Sequence, residues 1–253
     1  MTDQPQTQAL AVLGGTDKQG NPEPVREVRF EPGDVVALVG PTGSGKSRFL
    51  EDIEWLTQGD SPTGRRVTAP TQAEAAGPGA AQPFAARLSQ NMMYHLDMPV
   101  REFLETCAEA GDCEAGAVDR VLRWADRMSG EPFAPDAALC ALSGGQARAL
   151  MIAETALLSD CRVVLVDEIE NAGIDRFEAL EFLVAAETIA VVATHDPVLI
   201  LQAASRITFA NGAMVSVMQT SEAERGLLEE LRRSQDYYAG LRNRLRAGER
   251  LGG

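Results

Sequence analysis

The chain has 253 residues, 45% hydrophobic and 24% charged, with a net charge of −14. That usage is ordinary for one globular α/β unit with a subdomain and excludes a disordered chain. The acidic balance repels phosphate backbones and argues against a broad nucleic-acid surface. No run reaches the roughly 18 apolar residues that span a bilayer, and the polar start MTDQPQTQ lacks the regions of a signal peptide, so a cytoplasmic protein is expected. Cys107, Cys113, Cys140 and Cys161 share no CxxC spacing and are assigned neither metal nor disulfide.

In chain order, the apolar stretch Ala9 to Leu13, a Gly/Asn/Pro-rich bend and the alternating VREVRF predict an N-terminal antiparallel β flap. EPGDVVALVG then reads as a turn and a buried strand, broken by GPTGSGK before SRFLEDIEWL resumes at helical spacing. The Pro/Gly/Ala/Thr-rich segment from Asp60 to Phe84 reads as a surface loop of little chemistry. Val100 to about Met128 has apolar residues at helical intervals, interrupted at Gly111 and Gly116, and predicts helices of a small subdomain over about residues 91–145. CRVVLVDE and ETIAVVAT are continuous apolar runs, as in the central strands of a parallel sheet covered on both faces. RITFANGAMVSV places Asn-Gly between two β-prone runs, a hairpin signal. These elements predict a cassette over residues 1–217 and a C-terminal amphipathic helix within 218–253.

The run Gly40, Pro41, Thr42, Gly43, Ser44, Gly45, Lys46, Ser47 fits the P-loop pattern in full, between a strand and a helix. Its glycines let backbone N–H groups curl around phosphate oxygens, Lys46 reaches the β and γ phosphates, and Ser47 supplies a hydroxyl to Mg²⁺. The helix beginning there points its positive end at the polyphosphate. VVLVDE ends a strand with Asp167, a carboxylate for the Mg²⁺ shell, and Glu168, placed to act as general base on the attacking water. Outside such a site an acidic pair after a strand is plain surface. Leu142-Ser143-Gly144-Gly145-Gln146 suits a helix N-terminus opened onto a phosphate.

With that signature the chain resembles the ABC (ATP-binding cassette) ATPase family, over roughly residues 5–217. The resemblance implies a P-loop NTPase core with a mostly parallel central sheet and a helical signature subdomain. It makes Gln90 the residue touching Mg²⁺ or water, His195 the switch histidine at the γ phosphate, and Asp175 the D-loop aspartate. DEIENAGID sets Asp175 one residue further from Glu168 than the family's common spacing and lacks its proline. The family's adenine-stacking aromatic has no obvious counterpart, Phe30 being the one aromatic before the P-loop.

In the family the signature of one cassette completes the site of another, so Ser143, Gly144, Gly145 and Gln146 would serve ATP in trans within a homodimer or paired cassette. Its cofactors would be ATP and Mg²⁺. The implied function is ATP hydrolysis coupled to movement of a separate partner. That partner is either a membrane permease, which would hold the chain at the inner membrane face without inserting it, or a soluble enzyme or assembly machine. A non-hydrolysing scaffold fits less well, since both catalytic positions are filled. Leu227, Leu231, Ser234, Tyr238, Leu241 and Leu245 form a short seam at steps of four and three, suited to packing on the cassette or to docking a partner.

Overall fold

The structure is a computed structural model in which residues 10–69, 84–89, 93–159, 161–167 and 173–250 are described. The elements run β1 (Leu10–Leu13), β2 (Glu27–Phe30), β3 (Val35–Val39), α1 (Lys46–Glu54), β4 (Arg66–Thr68), β5 (Ala85–Leu88), α2 (Val100–Ala110), α3 (Ala117–Ser129) and α4 (Gly144–Leu158). There follow β6 (Val163–Asp167), α5 (Arg176–Ala185), β7 (Ile189–Ala193), α6 (Pro197–Gln202), β8 (Ser205–Ala210), β9 (Ala213–Gln219) and α7 (Glu222–Arg246).

Six strands form the central sheet in the order β5-β6-β7-β3-β8-β9, parallel except for the terminal β8-β9 pair. The period of two along each strand divides the core between the faces. Val35, Ala37, Val164, Val166, Ala190 and Val192 face α2 to α5. Val36, Leu38, Val163, Leu165, Val191 and Ile207 face α1 and the second sheet. Both faces being covered, β3, β6 and β7 hold no polar residue until Asp167 at the end of β6.

The N-terminal flap is a three-stranded antiparallel sheet, β2-β1-β4, with β1 central and β2 at an edge. Its third strand lies within the segment expected to be loop, and the structure corrects that reading. Arg65, just before β4, is fully buried, pairs with Glu23 and with Asp52 of α1, and donates to the Gly212 carbonyl at 2.8 Å. The part of that segment containing AAGPGAAQP lies outside the described residues.

Helices α2 and α3 meet where the sequence has Gly111 and Gly116, the C-cap of one and the N-cap of the other, the latter at φ 86°. In the β8-β9 hairpin, Asn211 and Gly212 both take positive φ, 52° and 89°, as a two-residue turn of this twist requires. Helix α7 packs on α6.

One half-buried carboxylate interrupts the core side of α4. Burial holds Glu154 above the ordinary glutamate value of 4.5, outweighing hydrogen bonds with Cys107 and Thr155. Burial, together with the Glu154 charge, pushes the Cys107 thiol up to about 11. Because the folded pKa exceeds the unfolded one, this group's stabilising contribution is complete below 4.5 and is lost as pH rises through the raised value. Glu154→Gln should therefore gain melting temperature relative to wild type between about pH 5 and about pH 8. An unchanged difference at the two pH values would contradict it.

Candidate functional site

The parallel strands carry their polar ends to one edge of the sheet, and the sequence-marked residues gather there. Beyond β3 the P-loop turns through Gly40, Gly43 and Gly45 at φ 147°, 75° and 112°, a region side chains rarely adopt. Two of these glycines are also needed for close approach. A Cβ on Gly40 would meet the Phe209 carbonyl oxygen at 2.4 Å, and one on Gly45 would meet the Gly212 Cα at 2.9 Å. The loop is thus wedged against the β8-β9 turn, whose Gly212 N–H donates to the Ser44 carbonyl at 2.8 Å.

Lys46 opens α1 and folds its ammonium back over the loop, donating to the carbonyls of Gly40 (2.7 Å) and Pro41 (3.2 Å). His195, just past β7, brings its Nε2 within 3.5 Å of the same nitrogen. The P-loop lysine and the predicted switch histidine therefore meet, although 149 residues separate them. Pro41, Thr42 and Ser47 are exposed, while Ser44 is buried with an Oγ that has no hydrogen-bond partner among the described residues. A buried hydroxyl without a partner beside a ring of curled backbone N–H groups fits an anionic ligand.

Asp167 ends β6, two strands from β3 in the sheet. Its Oδ2 accepts from Arg87 Nη2 at 2.7 Å, and Arg87 also reaches Glu54 (3.4 Å) and Glu51 (3.7 Å) on α1. Burial works against the guanidinium's charge, but Asp167 and Glu54 outweigh it and hold Arg87 above the usual arginine range. The Asp167 carboxylate and the Ser47 hydroxyl are hard oxygen donors of the kind Mg²⁺ takes, and the pairing leaves one Asp167 oxygen for a metal's water shell. Gln90 and Glu168 lie outside the described residues.

The signature forms the start of α4. Ser143 is its N-cap in a reciprocal capping box with Gln146, whose side chain also donates to the Glu131 carbonyl. Gly144 and Gly145 are helical, and a Cβ on Gly145 would strike the Gly173 carbonyl oxygen at 2.4 Å. That contact ties the signature to the segment leading into Asp175, which caps α5 by accepting from the N–H groups of Phe177 and Glu178. Signature and Asp175 thus form a second group. Among the described residues no hydrogen bond or ion pair joins it to the P-loop.

Three features at the site went unread in the sequence. Lys18, from the bend after β1, donates to the Gly43 carbonyl at 2.9 Å. Arg87 clamps Asp167, and Asp196 caps α6 while paired to Arg176. Lys18 sits in a polar loop with no periodic pattern. Arg87 lies three residues before Gln90, where its position was the only clue. Phe30 is wholly buried in the core and unavailable to stack on a base.

Comparison with known proteins resolves the family. The model describing ABC transporters matches residues 26–171, well over half of the chain. The chain belongs to that family. As an ABC ATP-binding protein it binds ATP and hydrolyses it. It is similar to an uncharacterized ABC transporter ATP-binding protein of Methanocaldococcus jannaschii, 43% identical over 253 residues that cover 96% of this chain and 94% of that one. It is also similar to the zinc import ATP-binding protein ZnuC of Paracoccus denitrificans, 31% identical over 189 residues, 72% of this chain and 67% of that one. The solved structure of cbiO1 from Clostridium perfringens, part of the transporter complex cbiONQ, shares the fold with a TM-score of 0.59 at 16% identity, covering 92% and 98% of the two chains. No helix among the described residues of this ABC protein is long and apolar enough to cross a membrane.

Proposed function

We propose that this ABC protein is the ATP-binding subunit of a transporter, and that two copies close around Mg·ATP and push on a separate permease at the inner, cytoplasmic face of the membrane. The observation carrying the site assignment is the meeting of Lys46 and His195 over the P-loop, beside the unpartnered Ser44 hydroxyl. In this reading the P-loop N–H groups from Gly40 to Ser47 cradle the phosphates. Lys46 leaves the Gly40 and Pro41 carbonyls for the β and γ phosphates, and His195 steadies charge on the γ phosphate. Ser47, Asp167 and Gln90 would hold Mg²⁺, which would supply charge neutralisation to the phosphate oxygens. Glu168 takes a proton from the attacking water. Arg87 keeps Asp167 turned toward the site.

The separation of signature and P-loop within one chain supports a head-to-tail pair, in which Ser143, Gly144, Gly145 and Gln146, with Asp175 beside them, face the nucleotide of the other copy. The similarity to ZnuC, a zinc import ATP-binding protein, favours a permease partner over a soluble machine. The cargo is then chosen by the permease.

Glu168→Gln keeps the hydrogen-bonding shape of the side chain but removes the base. Hydrolysis is expected to fall by about 10²–10⁴-fold. In saturating ATP the variant should sediment at twice the 27.1 kDa of one chain and hold ATP that no longer exchanges with free nucleotide, which an unclosed pair would release. A variant that hydrolyses at the wild-type rate, or stays monomeric in ATP, would overturn the reading. Affinity capture of the trapped dimer from membrane and soluble fractions then identifies the partner.

A further inference from the structure

Helix α7 rests on the cassette through one face. The Arg232 guanidinium lies 4.4 Å over the Phe177 ring and reaches Glu181, the Gln235 amide donates to Asp196, and Arg206 holds Glu224. Away from that face Leu227, Tyr237, Tyr238 and Leu245 remain 53%, 65%, 64% and 56% exposed. The seam expected from the sequence therefore turns largely outward, with Leu231 and Leu241 half-buried along it. An apolar stripe presented on a long, otherwise polar helix marks an interaction surface.

Two features of the helix specify what covers it. The seam Leu227, Leu231, Ser234, Tyr238, Leu241, Leu245 advances by four, three, four, three and four residues, and so reads the same from either end. A second α7 laid antiparallel about a two-fold axis near residue 236 sets Leu227 against Leu245, Leu231 against Leu241 and Ser234 against Tyr238. The charges obey the same symmetry. Within the helix, residues 226–230 hold two Glu and no basic residue, and residues 242–246, equally far from the centre, hold three Arg and no acidic one. An antiparallel copy brings each acidic end onto a basic end, whereas a parallel copy would oppose like charges. An anionic membrane would attract one end of the helix and repel the other.

We propose that two copies of this chain pair through α7 in an antiparallel seam that holds without nucleotide. The pairing is separate from the ATP-dependent closure proposed above and does not depend on it. It would keep two cassettes tethered through the open half of each cycle, so that closure becomes a local event set by effective concentration.

The test uses the full chain in EDTA, free of nucleotide, at micromolar concentration. Analytical ultracentrifugation should report twice 27.1 kDa. Tyr238→Arg, on an exposed position, should weaken the dimer by at least about tenfold while leaving the melting temperature and ATP binding unchanged. Glu229→Arg with Glu230→Arg should weaken it as well, and adding Arg242→Glu with Arg244→Glu, the basic residues set against them by the two-fold, should restore it. A monomeric wild type, a dimer indifferent to Tyr238→Arg, or a failure of the second pair of reversals to restore association would each overturn the proposal. So would a monomer that binds anionic vesicles through α7.

Discussion

Arg65→Met is expected to lower the stability of the cassette by about 3–5 kcal/mol, a melting-temperature loss of roughly 6–20 °C for a chain of this size. Arg65 is fully buried, and so are both of its carboxylate partners, Glu23 and Asp52. Removing it leaves two anions in the interior with only neutral hydrogen bonds: to Glu23 from the N–H groups of Gly15 and Met214, and to Asp52 from the Thr63 hydroxyl. A surface ion pair would not carry such a cost, because water takes over when one partner goes. The sign can be checked with Arg65→Met, Glu23→Gln and Asp52→Asn combined, which removes the stranded charges and should recover a large part of the loss. Thermal and urea denaturation of the two proteins are the measurements. A single variant within about 1 kcal/mol of wild type would show that the network is not the brace described.

The brace bears on function through what it joins. Asp52 stands on α1, the helix that Lys46 opens, and Glu23 accepts from Gly15 in the bend that also carries Lys18. The Gly212 carbonyl, which Arg65 also holds, belongs to the turn packed against Gly45. One guanidinium thus fixes three of the surfaces against which the P-loop is pressed.

Local chemistry explains which parts of this were legible in the sequence. The P-loop, the DE pair and the signature are contiguous runs in which glycine, lysine and carboxylate occur at fixed offsets, so Lys46, Asp167 and Ser143 could be named without a structure. The central strands were visible because burial on both faces demands unbroken apolar runs, and the β8-β9 turn because Asn-Gly tolerates positive φ. Arg65 was hidden for the opposite reason. It lies in a stretch whose Pro, Gly and Thr content signals loop, and nothing local announces that its partners stand 42 and 13 residues away. Arg87 was hidden likewise, since β5 is only four residues long and its arginine meets Asp167 across 80 residues. The α7 seam was legible as a pattern, but the face of the helix that meets the cassette was not. That face is set by the Arg232 guanidinium over the Phe177 ring and the Gln235 amide on Asp196, contacts made by polar heads of α7 that apolar periodicity does not register.

Lys46→Ala is expected to abolish most of the activity while sparing the fold. Among the described residues the lysine donates to the carbonyls of its own loop, which can turn to water when it is lost, and a stability change below about 1 kcal/mol is expected. The interaction with phosphate proposed for it would be charge-assisted and made in a partly buried site, where one such contact is worth about 1.5–3 kcal/mol in binding, or roughly ten- to 150-fold in affinity. If the contact strengthens as charge moves toward the γ phosphate, hydrolysis falls further, by about 10²–10³-fold in turnover. Lys46→Arg should rescue little of this, because the planar guanidinium fork cannot fill the place of a compact ammonium packed between the Gly40 carbonyl and His195. Fluorescent-nucleotide titration and steady-state hydrolysis, beside a thermal melt of the same samples, separate the two effects. Retained tight binding with lost turnover would assign Lys46 to the transition state alone, whereas unchanged binding and turnover would remove the lysine from the site.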